Sequence, residues 1–118
     1  MTLEETIYAL LADLVDDRVT PDVVAEGSPF PAITYQQIGG RASWYAEGAM
    51  PSHKHARLQI NVWAKTRLEA SEIARQVERR FCTTLKNTEP YGAPNSTYEE
   101  LLDLYGTRQD FGVWYPDP

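Results

Sequence analysis

Two histidines near the middle of the chain are the residues whose spacing comes closest to a reactive site. His53 and His55 flank Lys54, so an extended backbone would place both imidazoles on one face. A structural zinc site needs four ligands and a catalytic one usually three, and no carboxylate stands at a recognisable ligand spacing. We therefore predict no metal site and interpret this segment as a solvated loop.

Cys82 is the single cysteine among 118 residues, which excludes an internal disulfide framework and fits a reducing cytosol. It follows Phe81 near the C-terminal end of a predicted helix. A reactive thiol needs a neighbouring base or a helix N-terminus to lower its pKa, and this position offers the opposite end. We predict that the thiol is inert.

Carboxylates and glycines give no catalytic pattern either. The acid pairs Asp16-Asp17 and Glu99-Glu100 are adjacent in sequence, so their side chains diverge instead of converging on a substrate. The pair at residues 39–40 precedes a polar stretch and lacks the Lys-Ser/Thr of a phosphate-binding loop. The sequence therefore predicts neither an enzyme nor a cofactor site.

Composition is that of an ordinary globular protein, with 42% hydrophobic and 24% charged residues. The length suits one domain, residues 1–118. The net charge of −6, from 17 acids against 11 bases, argues against a surface that grips phosphates, so we expect no specific nucleic acid binding. No apolar run approaches the ~20 residues of a membrane span, and the N-terminus is acidic where a signal peptide is basic. We expect a soluble, unexported protein without membrane contact.

Hydrophobic periodicity predicts a succession of helices and strands. Leu3, Ile7 and Leu11 begin the stripe of a first helix, residues 3–16, and Thr2 is a plausible cap. A short extended segment follows at 18–21, and a strand at 32–38. Alternation over 56–65 predicts a strand that passes at once into a second helix, because Thr66 and Glu69 form a capping box. Residues 108–115 alternate as a closing strand.

Three segments are harder to assign. Residues 86–100 look like a connector with room for a short strand, and 98–105 fits either a helical turn or the start of a strand. Residues 39–55 form a polar loop, longer than is usual in a compact domain. It is either a disordered hairpin tip or a segment that orders against a partner, and the adjacent Trp44 and Tyr45 favour a partner.

These elements predict an α+β fold, with two helices packed on one face of a mostly antiparallel four- to five-stranded sheet. The other face would normally be polar, yet the alternation places Trp63 and Trp114 on it. Large exposed apolar patches usually mark association, unless the long loop folds back and covers them. We predict a subunit or partner interface at five residues: Trp63, Trp114, Arg41, Trp44 and Tyr45.

The chain resembles the tail completion proteins of long-tailed bacteriophages, a family that includes tail terminators of phages, prophages and gene transfer particles. The resemblance rests on four stretches, LEETIYALLADLV, PFPAITYQQIGG, ARLQINVWAKTRLEASEIARQV and LYGTRQDFGVWY. It is most specific in QINVWA and in the terminal R.DF.VWY.

The resemblance implies a structural virion protein without catalysis. Family members form a ring, typically a hexamer, that caps the head-proximal end of the tail tube. The ring stops tube polymerisation and joins the tail to the head. The implied partners are further copies of the chain, the tail tube protein and the head-tail connector protein, assembled in the cytoplasm of the bacterial host. The rival interpretation is a small dimeric ligand-binding or regulatory α+β module, and a gene position away from tail and head-joining genes would favour it.

Overall fold

A computed structural model of the chain describes residues 2–41, 53–85 and 87–116. Its two α-helices and five strands confirm the predicted α+β class, with five strands in the sheet. In chain order the elements are α1 (Leu3–Leu11), a 3₁₀ turn (Ala12–Leu14), β1 (Val19–Pro21), β2 (Ala32–Gly39), β3 (His53–Ala64), α2 (Arg67–Thr84), β4 (Thr88–Glu99) and β5 (Leu104–Pro116). Neither helix is long and apolar enough to cross a lipid bilayer, as judged over the described ranges.

The strands form one sheet in the order β1-β2-β3-β5-β4. β1 pairs with β2 in parallel, and every other neighbouring pair is antiparallel. The central pair, β3 with β5, is in register from His53 opposite Pro116 to Ala64 opposite Tyr105. The fold is therefore built on a long central ladder, with shorter or irregular pairing on both sides.

The first helix begins at a capping box. The Glu5 amide donates to the Thr2 hydroxyl at 3.1 Å, and the Glu5 carboxylate accepts from the Thr2 amide at 2.9 Å. The α-helix ends at Leu11, earlier than the predicted residue 16. Ala12–Leu14 tighten into the 3₁₀ turn, and Asp16 and Asp17 then adopt positive φ angles of 49° and 66°. Backbone in that left-handed region cannot continue a right-handed helix.

The predicted switch from strand to helix after β3 is confirmed. Thr66 is the N-cap of α2, and its hydroxyl accepts a hydrogen bond from the Glu69 amide at 3.1 Å. The buried positions of α2 recur every three or four residues along one stripe, at Ala70, Ile73, Ala74, Val77 and Phe81. An amphipathic stripe of this kind must be covered, and here the sheet covers it.

Both helices pack on the same face of the sheet. The core joins apolar residues of α1 and α2 to those of the strands, including Ile7, Leu11, Val77, Phe81, Leu58, Ile60, Val62 and Phe111. At the edge of this layer Arg80 donates to the Leu10 carbonyl at 3.0 Å and pairs with Asp13. This pairing lowers the pKa of the Asp13 carboxyl, chiefly through the hydrogen bond from Arg80.

Two further predicted boundaries are wrong. The connector predicted at 86–100 is largely the 12-residue strand β4, and a turn at residues 100–103 joins it to β5. The loop predicted at 39–55 is shorter, because β2 extends to Gly39 and β3 begins at His53. Residues 42–52 lie outside the described part of the chain.

Candidate interaction surface

The face of the sheet opposite the helices carries both predicted tryptophans. Trp63 on β3 lies opposite Gly106, and Trp114 on β5 lies opposite His55. Because Trp63 and His55 are eight residues apart on one strand, the backbone positions of the two tryptophans are roughly 26 Å apart along the sheet, at ~3.3 Å per residue. They therefore belong to two different surfaces at opposite ends of this face.

Polar side chains occupy the sheet between the tryptophans. Arg57 Nε and Nη2 both donate to Asp110 Oδ2, at 3.1 and 2.9 Å, and the guanidinium lies 4.7 Å from the centre of the Tyr91 ring. Gln59 and Asn61 continue the polar strip along β3. The apolar surface of this face is therefore divided into two parts.

The first part is a groove of about 550 Å³, here called the Trp63 groove. Its walls are the segment after β1 and the turn after β4, and its floor is the sheet. Apolar groups dominate its lining, which includes Trp63, Val23, Phe30, Leu102 and Leu104. Val23 and Leu102 on the two rims are 71% and 64% exposed, which leaves apolar area available for association.

Close packing fixes the position of the Trp63 indole. Gly106 lies directly opposite, and a Cβ there would come within 2.9 Å of two ring carbons of Trp63. The absence of a side chain thus lets the indole lie flat over the neighbouring strand. Trp63 is half-buried as a result, with part of the ring in the floor and part open to the groove.

The second part is centred on Trp114, which is 37% exposed. Trp114 lines two hollows of about 580 and 260 Å³. We call this part the Trp114 surface. The indole meets the His55 ring edge-on, with centroids 4.8 Å apart and an interplanar angle of 61°, a favourable aromatic geometry.

His55 packs against Trp114 from the neighbouring strand. Its Nδ1 accepts a hydrogen bond from the Arg41 amide at 3.0 Å, and its Nε2 lies 3.4 Å from the Tyr91 hydroxyl. Burial lowers the pKa of His55, the Arg41 cation lowers it further, and Glu89 opposes the shift. The structure thus brings predicted residues Arg41 and Trp114 together around His55. The predicted solvated loop is wrong here, because His55 is a buried residue of strand β3.

Within the described residues, no group of three His, Cys, Asp or Glu side chains could hold a metal ion. His53 and His55 both lie on β3 and face the same side of the sheet. Cys82 is exposed on α2, and its pKa is raised, first by partial burial and then by the Glu78 carboxylate. A raised pKa makes the thiolate scarcer at neutral pH and lowers reactivity.

The five predicted interface residues are thus distributed unequally. Trp63 lies in the groove, whereas Trp114 and Arg41 lie together at the other end of the sheet, around His55. Trp44 and Tyr45 fall outside the described residues. The groove walls were missed in the sequence, although Pro21, Gly27, Pro29 and Pro31 signal a turn-rich segment there.

Comparison with known proteins identifies the family of this chain. The model of the family described as tail completion protein gp17 matches residues 5–83, which is about two thirds of the chain. The match runs from α1 to the last turn of α2 and includes the strand that carries Trp63. No individual curated protein matches the sequence significantly. Since the family model covers well over half of the residues, the chain belongs to the phage tail completion family of tail completion protein gp17.

Proposed function

We propose that the protein forms a ring, a hexamer by the family resemblance, that caps the head-proximal end of the phage tail tube. The ring stops the addition of tube subunits and joins the finished tail to the head. The observation that carries this proposal is the family match over residues 5–83. Under this proposal the protein lies in the virion, at the end of the tail, after assembly in the cytoplasm of the bacterial host.

A ring of identical subunits can hold a tube end through weak contacts. A head-to-tail contact between copies closes when its rotation divides the circle evenly. Each subunit then presents the same surface to the tube, and the repeated contacts give avidity without strong pairwise binding. The work of the protein is therefore binding at several surfaces at once, to its own copies, to the tail tube protein and to the head-tail connector protein.

The helix layer supports this role by making the sheet rigid. Phe81 and Val77 of α2 pack against the strands that carry the two tryptophans, so the opposite face is a fixed surface. Trp63, Trp114 and Arg41 are our proposed contacts on that surface, and Trp44 and Tyr45 are proposed contacts with the tube or connector. Aromatic and Arg side chains on a rigid support are the residues that dominate interface energetics.

The acidic balance suits a ring through which DNA passes. Seventeen acids against eleven bases give a net charge of −6, which disfavours adhesion of the phosphate backbone. Under this proposal the bore lets the genome through without binding it. Neither a cofactor nor a catalytic step is required.

Electron microscopy of tails made without this protein tests the proposal. A phage whose gene for this chain is deleted should produce tubes of uncontrolled length, separate from filled heads. Supplying the intact gene in trans should restore uniform tails joined to heads, which controls for effects on neighbouring genes. Tails of normal length attached to heads in the deletion strain would contradict the proposal.

A dimeric ligand-binding or regulatory module is the second candidate, and the volume of the Trp63 groove favours it. About 550 Å³ falls within the ~300–1,000 Å³ typical of small-molecule sites. A thermal-shift screen with metabolites of mixed polarity tests this candidate. A ligand that raises the melting temperature of the intact protein but not of Trp63→Ser would support it, and normal tails in the deletion strain would favour it further.

A further inference from the structure

We propose that His55 is an acid-sensitive switch, whose neutral imidazole holds the Arg41 backbone against strand β3 and whose protonation releases it while the sheet stays folded. The released segment is residues 39–41, here called the Arg41 corner, where β2 ends. The switch operates within the folded chain and does not depend on the ring proposed above. The first change in acid is therefore expected at one corner of the sheet, before any loss of the core.

A side chain attaches the Arg41 corner to β3. Ladder pairing of β2 with β3 ends at Gly39 opposite Arg57. Two residues further on, the Arg41 amide donates to His55 Nδ1 at 3.0 Å, and within the described part of the chain this is the one hydrogen bond of the Arg41 backbone. An amide N–H can only donate, so the bond needs the free lone pair of Nδ1. A proton on Nδ1 therefore removes this attachment.

The hydrogen bond fixes the tautomer of His55. Because Nδ1 accepts from the Arg41 amide, the neutral ring carries its proton on Nε2. Nε2 lies 3.4 Å from the hydroxyl oxygen of Tyr91, on the side where that proton points. A second proton makes both ring nitrogens donors, so that Nδ1–H and the Arg41 amide would face each other as two donors. Protonation and the Arg41 contact therefore exclude each other.

Close packing keeps the ring in a place that suits only its neutral form. His55 is 6% exposed and meets Trp114 edge-on, with ring centroids 4.8 Å apart. A Cβ on Gly112 would lie 3.0 Å from Nε2, and a Cβ on Gly40 would lie 2.2 Å from the His55 carbonyl oxygen. An ion that is buried without a partner is unfavourable, so the imidazolium is stable only where water reaches it.

The charges around His55 favour release over a buried imidazolium. The titratable and charged groups on this side come from every element around the ring: Arg41 at the end of β2, His53 and Arg57 on β3, Glu89 and Tyr91 on β4, and Asp110 on β5. Asp110 accepts from both Nε and Nη2 of Arg57, so this carboxylate is already paired. Burial first, and then the Arg41 cation, lower the pKa of His55 by more than Glu89 raises it. Release also separates the imidazolium from the Arg41 charge.

The pH range of the switch follows from linkage. The released imidazole has an ordinary pKa of about 6.5, and that of the attached ring is lower. Because the proton binds the released form more tightly, acid increases the population of that form. Between about pH 7.5 and 5.5 the increase is severalfold, with a ceiling of about tenfold for one proton.

Hydrogen exchange of the Arg41 amide, followed by NMR in the intact protein, measures the released population. Its protection factor should fall severalfold, and by no more than about tenfold, between about pH 7.5 and 5.5. The Asp22 amide is the internal control, because it donates at 2.9 Å to the Tyr35 carbonyl, which does not titrate. A protection factor at Arg41 that changes no more than that of Asp22 would overturn the proposal.

The Leu58 amide distinguishes local release from unfolding. Leu58 lies in the central ladder of β3 with β5, and its side chain is fully buried. The Arg41 amide should exchange much faster than the Leu58 amide at every pH, because the Arg41 corner opens without the core. Equal protection of the two amides would show that Arg41 is freed only by global unfolding, and it would overturn the switch.

His55→Asn removes the titration but keeps an acceptor. The Asn oxygen and His Nδ1 are both bonded to Cγ, so the amide oxygen can accept from Arg41 at any of these pH values. We expect the protection of Arg41 to lose its pH dependence in this variant. His53→Asn makes the same change two residues earlier on the same side of β3 and should keep the dependence. A pH dependence that persists in His55→Asn would overturn the proposal.

NMR signals of the intact protein decide the question even where His55→Asn fails to fold. The nitrogen chemical shifts of His55 at about pH 7.5 should report a neutral ring with its proton on Nε2. A neutral ring with its proton on Nδ1 would overturn the proposal, since that nitrogen could not accept from Arg41. The Trp114 indole N–H signal should move as Arg41 loses protection, whereas the Trp63 signal, from the far end of β3, should not. Equal movement of both indole signals would indicate a change of the whole sheet and overturn a local switch.

Discussion

The rings of Phe81 on α2 and Phe111 on β5 stack in parallel, with centroids 4.5 Å apart and planes inclined by 12°. Both side chains are fully buried. The stack links the second helix to the strand that bears Trp114 on its other face. The position of Trp114 thus depends on a contact in the core, since a shift of β5 would move both Phe111 and Trp114.

Replacing Phe111 with Ala should strongly destabilise the fold. The change removes a fully buried ring and leaves Phe81 beside a cavity, so we expect a loss of about 3–5 kcal/mol in the free energy of unfolding. Urea denaturation at low protein concentration measures this loss without a contribution from self-association. Leu68→Ala, on an exposed side chain, should change stability by no more than about 0.5 kcal/mol. Equal effects of the two substitutions would contradict the core assignment.

The helices and β3 could be predicted because their signals are local. Thr2 with Glu5, and Thr66 with Glu69, are capping pairs three residues apart, and the structure forms the expected hydroxyl–amide hydrogen bond in each. The strict alternation of residues 56–65 likewise indicates which side chains meet the helices. These caps and this alternation can be recognised without knowledge of the rest of the chain, because each lies within a short segment.

Strand β4 could not be predicted because its sequence resembles a connector. Pro90, Gly92 and Pro94 all disfavour a strand by propensity, and none of the residues of β4 is fully buried. Strand β4 forms because it pairs with the long strand β5, from Leu104 opposite Glu99 to Val113 opposite Thr88. Long-range pairing here overrides local preference.

The sequence predicts which face of the sheet carries the candidate surface, but it does not predict how the residues are arranged on that face. Alternation places Trp63 and Trp114 on the helix-free side, yet only the register of β3 with β5 shows that they lie far apart. The burial of His55 depends in addition on Trp114 and Tyr91 from two other strands. No pattern within residues 53–55 records those neighbours.

Gly106→Ala should destabilise the protein through a collision with the Trp63 indole. An added Cβ would lie 2.9 Å from two ring carbons and 2.5 Å from the Thr97 hydroxyl, which can rotate away more readily than the ring. Overpacking of this kind costs about 1–3 kcal/mol, measurable by urea denaturation. In a Trp63→Ala background the same substitution should cost clearly less, and this coupling in a double-mutant cycle identifies the indole as the cause. Equal costs in both backgrounds would contradict that explanation.

Alkylation of Cys82 by iodoacetamide should be slower in the folded protein than in the urea-unfolded chain near neutral pH. The thiol is exposed, so access does not limit the reaction, but burial of part of the side chain and the Glu78 carboxylate raise its pKa. The thiolate is the reacting form, and a raised pKa makes it scarcer. Glu78→Gln removes one of the two causes and should therefore raise the folded-state rate. A folded protein that reacts as fast as the unfolded chain would contradict the shift.

Acidification should destabilise the protein through His55. Burial, and secondarily the Arg41 cation, lower its folded-state pKa below the ordinary value of about 6.5, and Glu89 only partly opposes them. Nδ1 must also stay unprotonated to accept the Arg41 amide. As pH falls below about 6.5, the unfolded chain binds the proton first, so stability declines until the folded-state pKa is passed and then levels off for this group.

Urea midpoints between about pH 7.5 and 5.5 should show the decline in the intact protein and in His53→Gln, but a smaller decline in His55→Gln. The same slope in both variants would show that another group titrates, because only the second variant removes the imidazole beneath Trp114.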